Sequence, residues 1–187
     1  VYKSVDDIDL KLDIYRPKSI DGPTPLLVFV HGGSWRGGDK SDYLVYLLDF
    51  VKRGFITATV QYRLSRVAKF PAAVDDVACA VAWLRENGPA YDIDQQRIAL
   101  IGGSAGGHLV MMVGYGRAAT VSDSACVELK TGLNVQALVN IYGPVDLTTP
   151  FAISHSAVHR FLGGKFEEIP ETYRAASPIN YLAADLP

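Results

Sequence analysis

Five residues, Gly102-Gly103-Ser104-Ala105-Gly106, directly follow the apolar run Ile98-Ala99-Leu100-Ile101. The spacing G-x-S-x-G predicts a tight turn from a strand into a helix, with glycines where side chains would obstruct the bend. Such a turn pushes a hydroxyl out beyond the carboxyl edge of a sheet, so Ser104 is the candidate nucleophile. A serine that attacks a carbonyl builds negative charge on oxygen. Preorganised N–H groups stabilise that charge, and losing one such donor costs ~10²–10³ in rate. The Ala105 N–H, at the start of the following helix, can donate with the helix dipole behind it. A second loop, His31-Gly32-Gly33-Ser34-Trp35, follows the apolar run Leu26 to Val30 and offers further backbone donors, because glycines let amides turn toward a bound oxygen.

The elements that must position these loops alternate between strand and helix, the pattern of a mostly parallel sheet covered on both faces. Residues 9–15 alternate apolar and polar, as an antiparallel edge strand does, and Leu26–Val30 and Phe55–Val60 read as strands buried on both faces. Between them, Ser41 is expected to cap a helix carrying Leu44, Leu47, Leu48 and Val51, closed by Gly54. Pro71 fits the first turn of a helix with the core stripe Val74, Val77, Ala78, Val81 and Leu84, stopped at Asn87-Gly88-Pro89. Arg97–Ile101 feeds the serine turn and Ala105 to about Val113 is the helix after it. Residues 117–134 read as loop, Val135–Ile141 as one more buried strand, and the remainder as short helical pieces broken at Gly163-Gly164, Pro170 and Pro178.

The chain has 187 residues, 49% apolar and 20% charged, which is the composition of one ordinary globular domain spanning 1–187. A net charge of −2 without blocks of one sign argues against nucleic acid or an anionic membrane as partner. No apolar stretch approaches the ~18 residues that span a bilayer. The chain starts Val1-Tyr2-Lys3 rather than with methionine, so its native start is expected to be missing and its compartment stays open, as does its oligomeric state. Two cysteines, Cys79 and Cys126, form neither a disulfide framework nor a metal-ligand spacing, and Cys79 reads as buried filler.

The loop at residues 31–35, the Gly37-Gly38-Asp39-Lys40 after it, Tyr62-Arg63-Leu64, Phe70-Pro71-Ala72 and Gly102 to His108 together resemble the α/β-hydrolase superfamily. Within it they resemble hormone-sensitive-lipase-like esterases and bacterial feruloyl-esterase-like hydrolases, and the His-Gly-Gly-x-Trp form is also similar to kynurenine formamidases. The resemblance runs from about Leu10 to the C-terminus. It implies a doubly wound, mostly parallel sheet and hydrolysis of a small-molecule ester through an acyl-serine, without metal or cofactor. It also implies that the amides of Gly33, Ser34 and Ala105 form the oxyanion hole. Members of the superfamily carry serine, acid and histidine in that order, the last two beyond a segment resembling Ala176–Tyr181. The chain ends at Pro187, so we expect a C-terminally truncated piece, its sheet incomplete on that side and its own activity nearly nil. Two other functions fit the same motifs: hydrolysis of an aryl formamide, and a binding module that keeps the pocket without proton transfer.

Other residues have plainer readings. His31 shapes its loop, His108 lies along the helix after the serine, and His155 and His159 fall in the irregular region on loop or helix surface. Asp146 is expected to cap a turn or shape the pocket, and Asp75 and Asp76 to favour the dipole of their helix. Asp92 and Asp94 are expected to organise the turn into the strand that carries the serine. Trp35 could stack on a substrate ring or plug its loop.

Overall fold

The structure, a computed structural model, describes residues 1–116, 133, 135–184 and 186–187. Strands β1 (Lys3–Val5) and β2 (Ile8–Leu10) form a small antiparallel hairpin. The main sheet holds β3 (Leu12–Tyr15), β4 (Thr24–Val30), β5 (Ile56–Val60), β6 (Ile93–Gly103) and β7 (Ala137–Ile141), in the order β3-β5-β4-β6-β7. Only the edge strand β3 runs antiparallel, against β5, and the other pairings are parallel. The alternation expected over residues 9–15 is thus divided between two sheets. The break falls at Lys11, whose N–H and C=O turn to the Gln61 side-chain oxygen and backbone N–H.

Parallel neighbours need crossovers, and these place α1 (Leu44–Lys52) on one face and α2 (Ala72–Asn87) and α3 (Ala105–Gly114) on the other. Strand β4 shows why its run is continuously apolar. Leu26, Val28 and Val30 join the large core beneath α2 and α3, while Leu27 and Phe29 join Leu47 of α1 on the opposite face. The expected stripe on α2 is fully buried from Val74 to Leu84. After β7 come the short helices α4 (Pro150–Ser154), α5 (Ser156–Leu162) and α6 (Pro170–Ala175). The doubly wound, mostly parallel α/β sheet is the architecture the alternation implies.

Four expectations need correction. Strand β7 is not buried: Val139 and Ile141 are over two-fifths exposed, because no further strand pairs beyond β7 among the described residues. Ser41 does not cap α1. Its hydroxyl goes to Asp39, the helix starts after Tyr43 without a side-chain cap, and Leu48 faces out. Cys79, though buried, is disulfide-bonded rather than a free filler thiol; Cys126 and the loop expected over 117–134 lie outside the described residues, Leu133 apart. Asp76 does far more than favour a dipole. It is completely buried, takes the Lys3 ammonium at 2.7 Å, and accepts Nε and Nη2 of Arg63 at 2.8 Å and the Arg63 backbone N–H at 2.9 Å.

Candidate active site

Sheet register brings the two candidate loops together. Val30, the last residue of β4, pairs with Gly102 of β6, so the chains leaving both strands start side by side at the carboxyl edge. There is no room between them for a side chain. A Cβ on Gly32 would lie 2.8 Å from the Gly103 carbonyl oxygen and 3.5 Å from Ser104 Cβ, and one on Gly106 would lie 2.7 Å from the His31 oxygen. Glycine at both positions lets α3 begin directly against the residue 31–35 loop.

Ser104 sits at φ 54°, ψ −121°, backbone space that a side chain enters only with strain, at a cost of roughly 1–3 kcal/mol. Its N–H donates to the Ile141 carbonyl at 2.9 Å and its C=O accepts from His108 at 3.0 Å, so β7 and α3 together impose the bend. The loop facing it is wound left-handed over Gly33, Ser34 and Trp35, with φ of 105°, 54° and 56°, and is closed by Arg36 and Gly37 N–H groups on the Gly33 oxygen. The N–H groups of Gly33, Ser34 and Ala105 meet no acceptor among the described residues. Half-buried Ser104 opens with Ser34 into a cavity of about 450 Å³, walled mainly by apolar groups such as Val145, Leu147 and Val158. Tyr142, which the motifs do not flag, completes this rim, and Asn140, equally unflagged, holds its turn. Asn140 Oδ1 accepts the Gly143 N–H at 2.7 Å, and the turn so formed carries Tyr142, at φ 49°, to the cavity mouth. Only the closeness of β7 to β6 reveals them.

No imidazole of the four histidines hydrogen-bonds the Ser104 hydroxyl among the described residues. His31 is buried, donates Nδ1–H to the Gly32 oxygen at 2.8 Å, and is held below its usual range by burial. His155 lines the cavity, but its Nδ1 accepts the Ala157 N–H at 3.2 Å and caps α5. His159 donates Nε2–H to the Ile153 oxygen at 2.6 Å. Asp146 also lines the cavity and spends Oδ1 on Thr148, on its N–H at 2.8 Å and its hydroxyl at 2.6 Å, which makes it a turn residue. Asp94 accepts the Gln96 N–H at 2.8 Å and Arg97 Nε at 2.6 Å, while Asp92, at φ 59°, bends the chain into β6.

His108 is fully buried and ties three parts of the molecule together. Its Nε2–H donates to the Ala176 oxygen at 2.8 Å, and its Nδ1 accepts Trp35 Nε1–H at 3.3 Å. Trp35, 4% exposed, stacks on Phe161 at 4.5 Å between ring centres, so it plugs the loop against α5. Burial lowers the His108 pKa to about 4, against the Ala176 bond, which raises it. An unfolded chain binds this proton near pH 6.5 and so holds more protons than the folded one between about 6.5 and 4. The stability is therefore complete above about 6.5 and is lost as the pH falls toward 4. His108→Gln can keep both hydrogen bonds without titrating. It is expected to flatten the fall of melting temperature across that window, an effect on the order of 3 kcal/mol. An unchanged acid limb in the variant would assign the acid sensitivity elsewhere.

The geometry agrees with known proteins. Esterase LipC of Mycobacterium tuberculosis is 32% identical over 97% of this chain, and that match covers 47% of LipC. The chain thus spans about half the length of the curated relatives it matches first. A truncated form of a carbohydrate esterase from gut microbiota superposes with a TM-score of 0.84 at 28% identity, over 94% of this chain and 68% of that one. The esterase Est2 of the planctomycete Thermogutta terrifontis, solved with butyrate bound, gives 0.81 at 26% identity, over 100% of this chain and 68% of its own. Residues 12–187 match the BD-FAE family model, and with the serine turn, the glycine loop and the α/β-hydrolase sheet in place the chain belongs to that family.

Proposed function

We propose that this chain carries the nucleophile and oxyanion hole of a carboxylic-ester hydrolase. Ser104 Oγ attacks the ester carbonyl, and the N–H groups of Gly33, Ser34 and Ala105 receive the resulting oxyanion. The alcohol then leaves and water releases the acyl group from Ser104. The observation that carries this reading is the strained serine beside three backbone donors that meet no acceptor among the described residues, at the mouth of a largely apolar cavity. The names of the relatives, esterases throughout the first three, point the same way. No metal or cofactor enters the scheme, and the substrate is a small ester.

A serine hydroxyl is a weak nucleophile until an imidazole takes its proton. His31, His108, His155 and His159 are each committed to a backbone or ring partner by at least one ring nitrogen, and among the described residues no imidazole bonds the Ser104 hydroxyl. We place the activating histidine and its acidic partner outside residues 1–187, so the chain by itself turns over esters at only a residual rate. The test is an alkyl fluorophosphonate probe with a p-nitrophenyl acyl ester as substrate, on the 187-residue chain and on the protein extended to the length of its relatives. Rapid covalent labelling of Ser104 in the extended protein, and labelling near that of free serine in the short chain, are expected. Slow labelling in both would remove the esterase reading. Fast labelling in the short chain would instead make His155, on the cavity wall, the candidate activating base.

A further inference from the structure

The carbonyl groups behind the glycine loop are firmly held, whereas the Gly33 and Ser34 N–H groups meet no acceptor among the described residues. Tyr62, following β5, is 4% exposed, and its hydroxyl lies 3.0 Å from the His31 oxygen and 3.3 Å from the Gly32 oxygen. The Gly32 oxygen also accepts His31 Nδ1–H at 2.8 Å, and the imidazole stacks on the Tyr62 ring at 4.3 Å between centres, 16° from parallel. In a planar trans peptide, C=O and N–H point in opposite directions. Drawing the Gly32 oxygen toward Tyr62 therefore aims the Gly33 N–H away from Tyr62.

We propose that Tyr62 is a positioning residue for the reaction at Ser104: its hydroxyl orients the Gly32–Gly33 peptide and so the Gly33 oxyanion donor. This rests on the esterase reading above. Tyr62 is itself anchored. The next residue, Arg63, gives its backbone N–H and guanidinium to buried Asp76. Two residues further on, the Ser65 N–H donates to the Trp35 oxygen at 2.7 Å. The segment 62–65 thus grips the loop at carbonyls on either side of Gly33 and Ser34. Burial also pushes the Tyr62 hydroxyl well above the usual phenol range, so it stays a protonated donor throughout the working pH range.

The test is Tyr62→Phe in the extended protein, beside Tyr173→Phe. Tyr173 makes the same kind of bond, hydroxyl to the Gly164 oxygen at 3.0 Å, in a loop away from the cavity. Competent sites are counted by the fluorophosphonate end point, so that misfolded protein does not enter kcat. His31 still holds the Gly32 oxygen in Tyr62→Phe, so the loss is expected to be about 10-fold in kcat per competent site, less than the ~10²–10³ for deleting a donor. KM is expected to stay unchanged, and affinity for a trifluoromethyl ketone analogue of the ester to fall in proportion to kcat/KM. Tyr173→Phe is expected to keep wild-type kcat per site. A merely structural Tyr62 would lower the number of competent sites or the melting temperature and leave kcat per site intact. That result, a loss carried by KM, or an equal loss in Tyr173→Phe overturns the proposal while leaving the esterase reading standing. Wild-type protein that fails to label at Ser104 removes the esterase reading itself, and this proposal with it.

Discussion

Ser104→Ala in the extended protein is expected to lower kcat for ester hydrolysis by about 10⁴–10⁶-fold, because removing the nucleophile of a serine hydrolase leaves only binding and the oxyanion hole. KM is expected to change little, and fluorophosphonate labelling to vanish. The same position offers a second readout. At φ 54°, ψ −121° a side chain is strained whatever its chemistry, whereas glycine is not. Ser104→Gly should therefore be as inactive as Ser104→Ala yet more stable than it by about 1 kcal/mol, read from denaturant midpoints at equal slope. If the alanine and glycine variants were equally stable, the bend would not be strained as described. If Ser104→Ala kept activity within 10-fold of wild type, another residue would carry the attack.

Asp76→Ala is expected to be the most damaging change to stability. The carboxylate sits at 0% exposure between Lys3 and Arg63, and it links the β1–β2 hairpin, the segment after β5 and the first turns of α2. Removing one partner of a buried ion pair typically costs about 3–5 kcal/mol, since the charges facing it lose the carboxylate that offsets their desolvation. For a chain of this size that corresponds to a melting temperature lower by roughly 10 °C. Differential scanning calorimetry on Asp76→Ala and Asp76→Asn checks it. A shift under about 2 °C in either variant would mean that Lys3 and Arg63 find water or other acceptors on losing the carboxylate. Because Arg63 adjoins Tyr62, the surviving folded fraction of Asp76→Ala is also a place to look for a weakened oxyanion hole.

The local chemistry of this protein was legible along the chain. Apolar runs and alternation located β4, β5, β6, α2 and α3, because each buries a face whose period is written in consecutive residues. The elbow at Ser104 was legible for the same reason: glycine spacing reports a backbone bend that few other residues allow. Short-range turn roles for Asp94 and Asp146 followed from side chains that reach backbone two residues on, while Asp92 turns the chain through its own left-handed backbone. Where an outcome depended on neighbours far along the chain, the residues were silent. Val135–Ile141 is as apolar as β4, yet β7 lies exposed, since burial depends on what packs against a strand rather than on the strand.

Asp76 looked like any first-turn carboxylate until folding placed Lys3, 73 positions away, against it. Trp35 had two open roles, and stacking on Phe161 decided for the plug. Residue order determined which groups could attack and donate, through motifs that need only local backbone geometry. Only the packed sheet decided which of them meet, because pairing Val30 with Gly102, 72 positions on, sets the two loops at one edge, and that register is a property of the assembled strands.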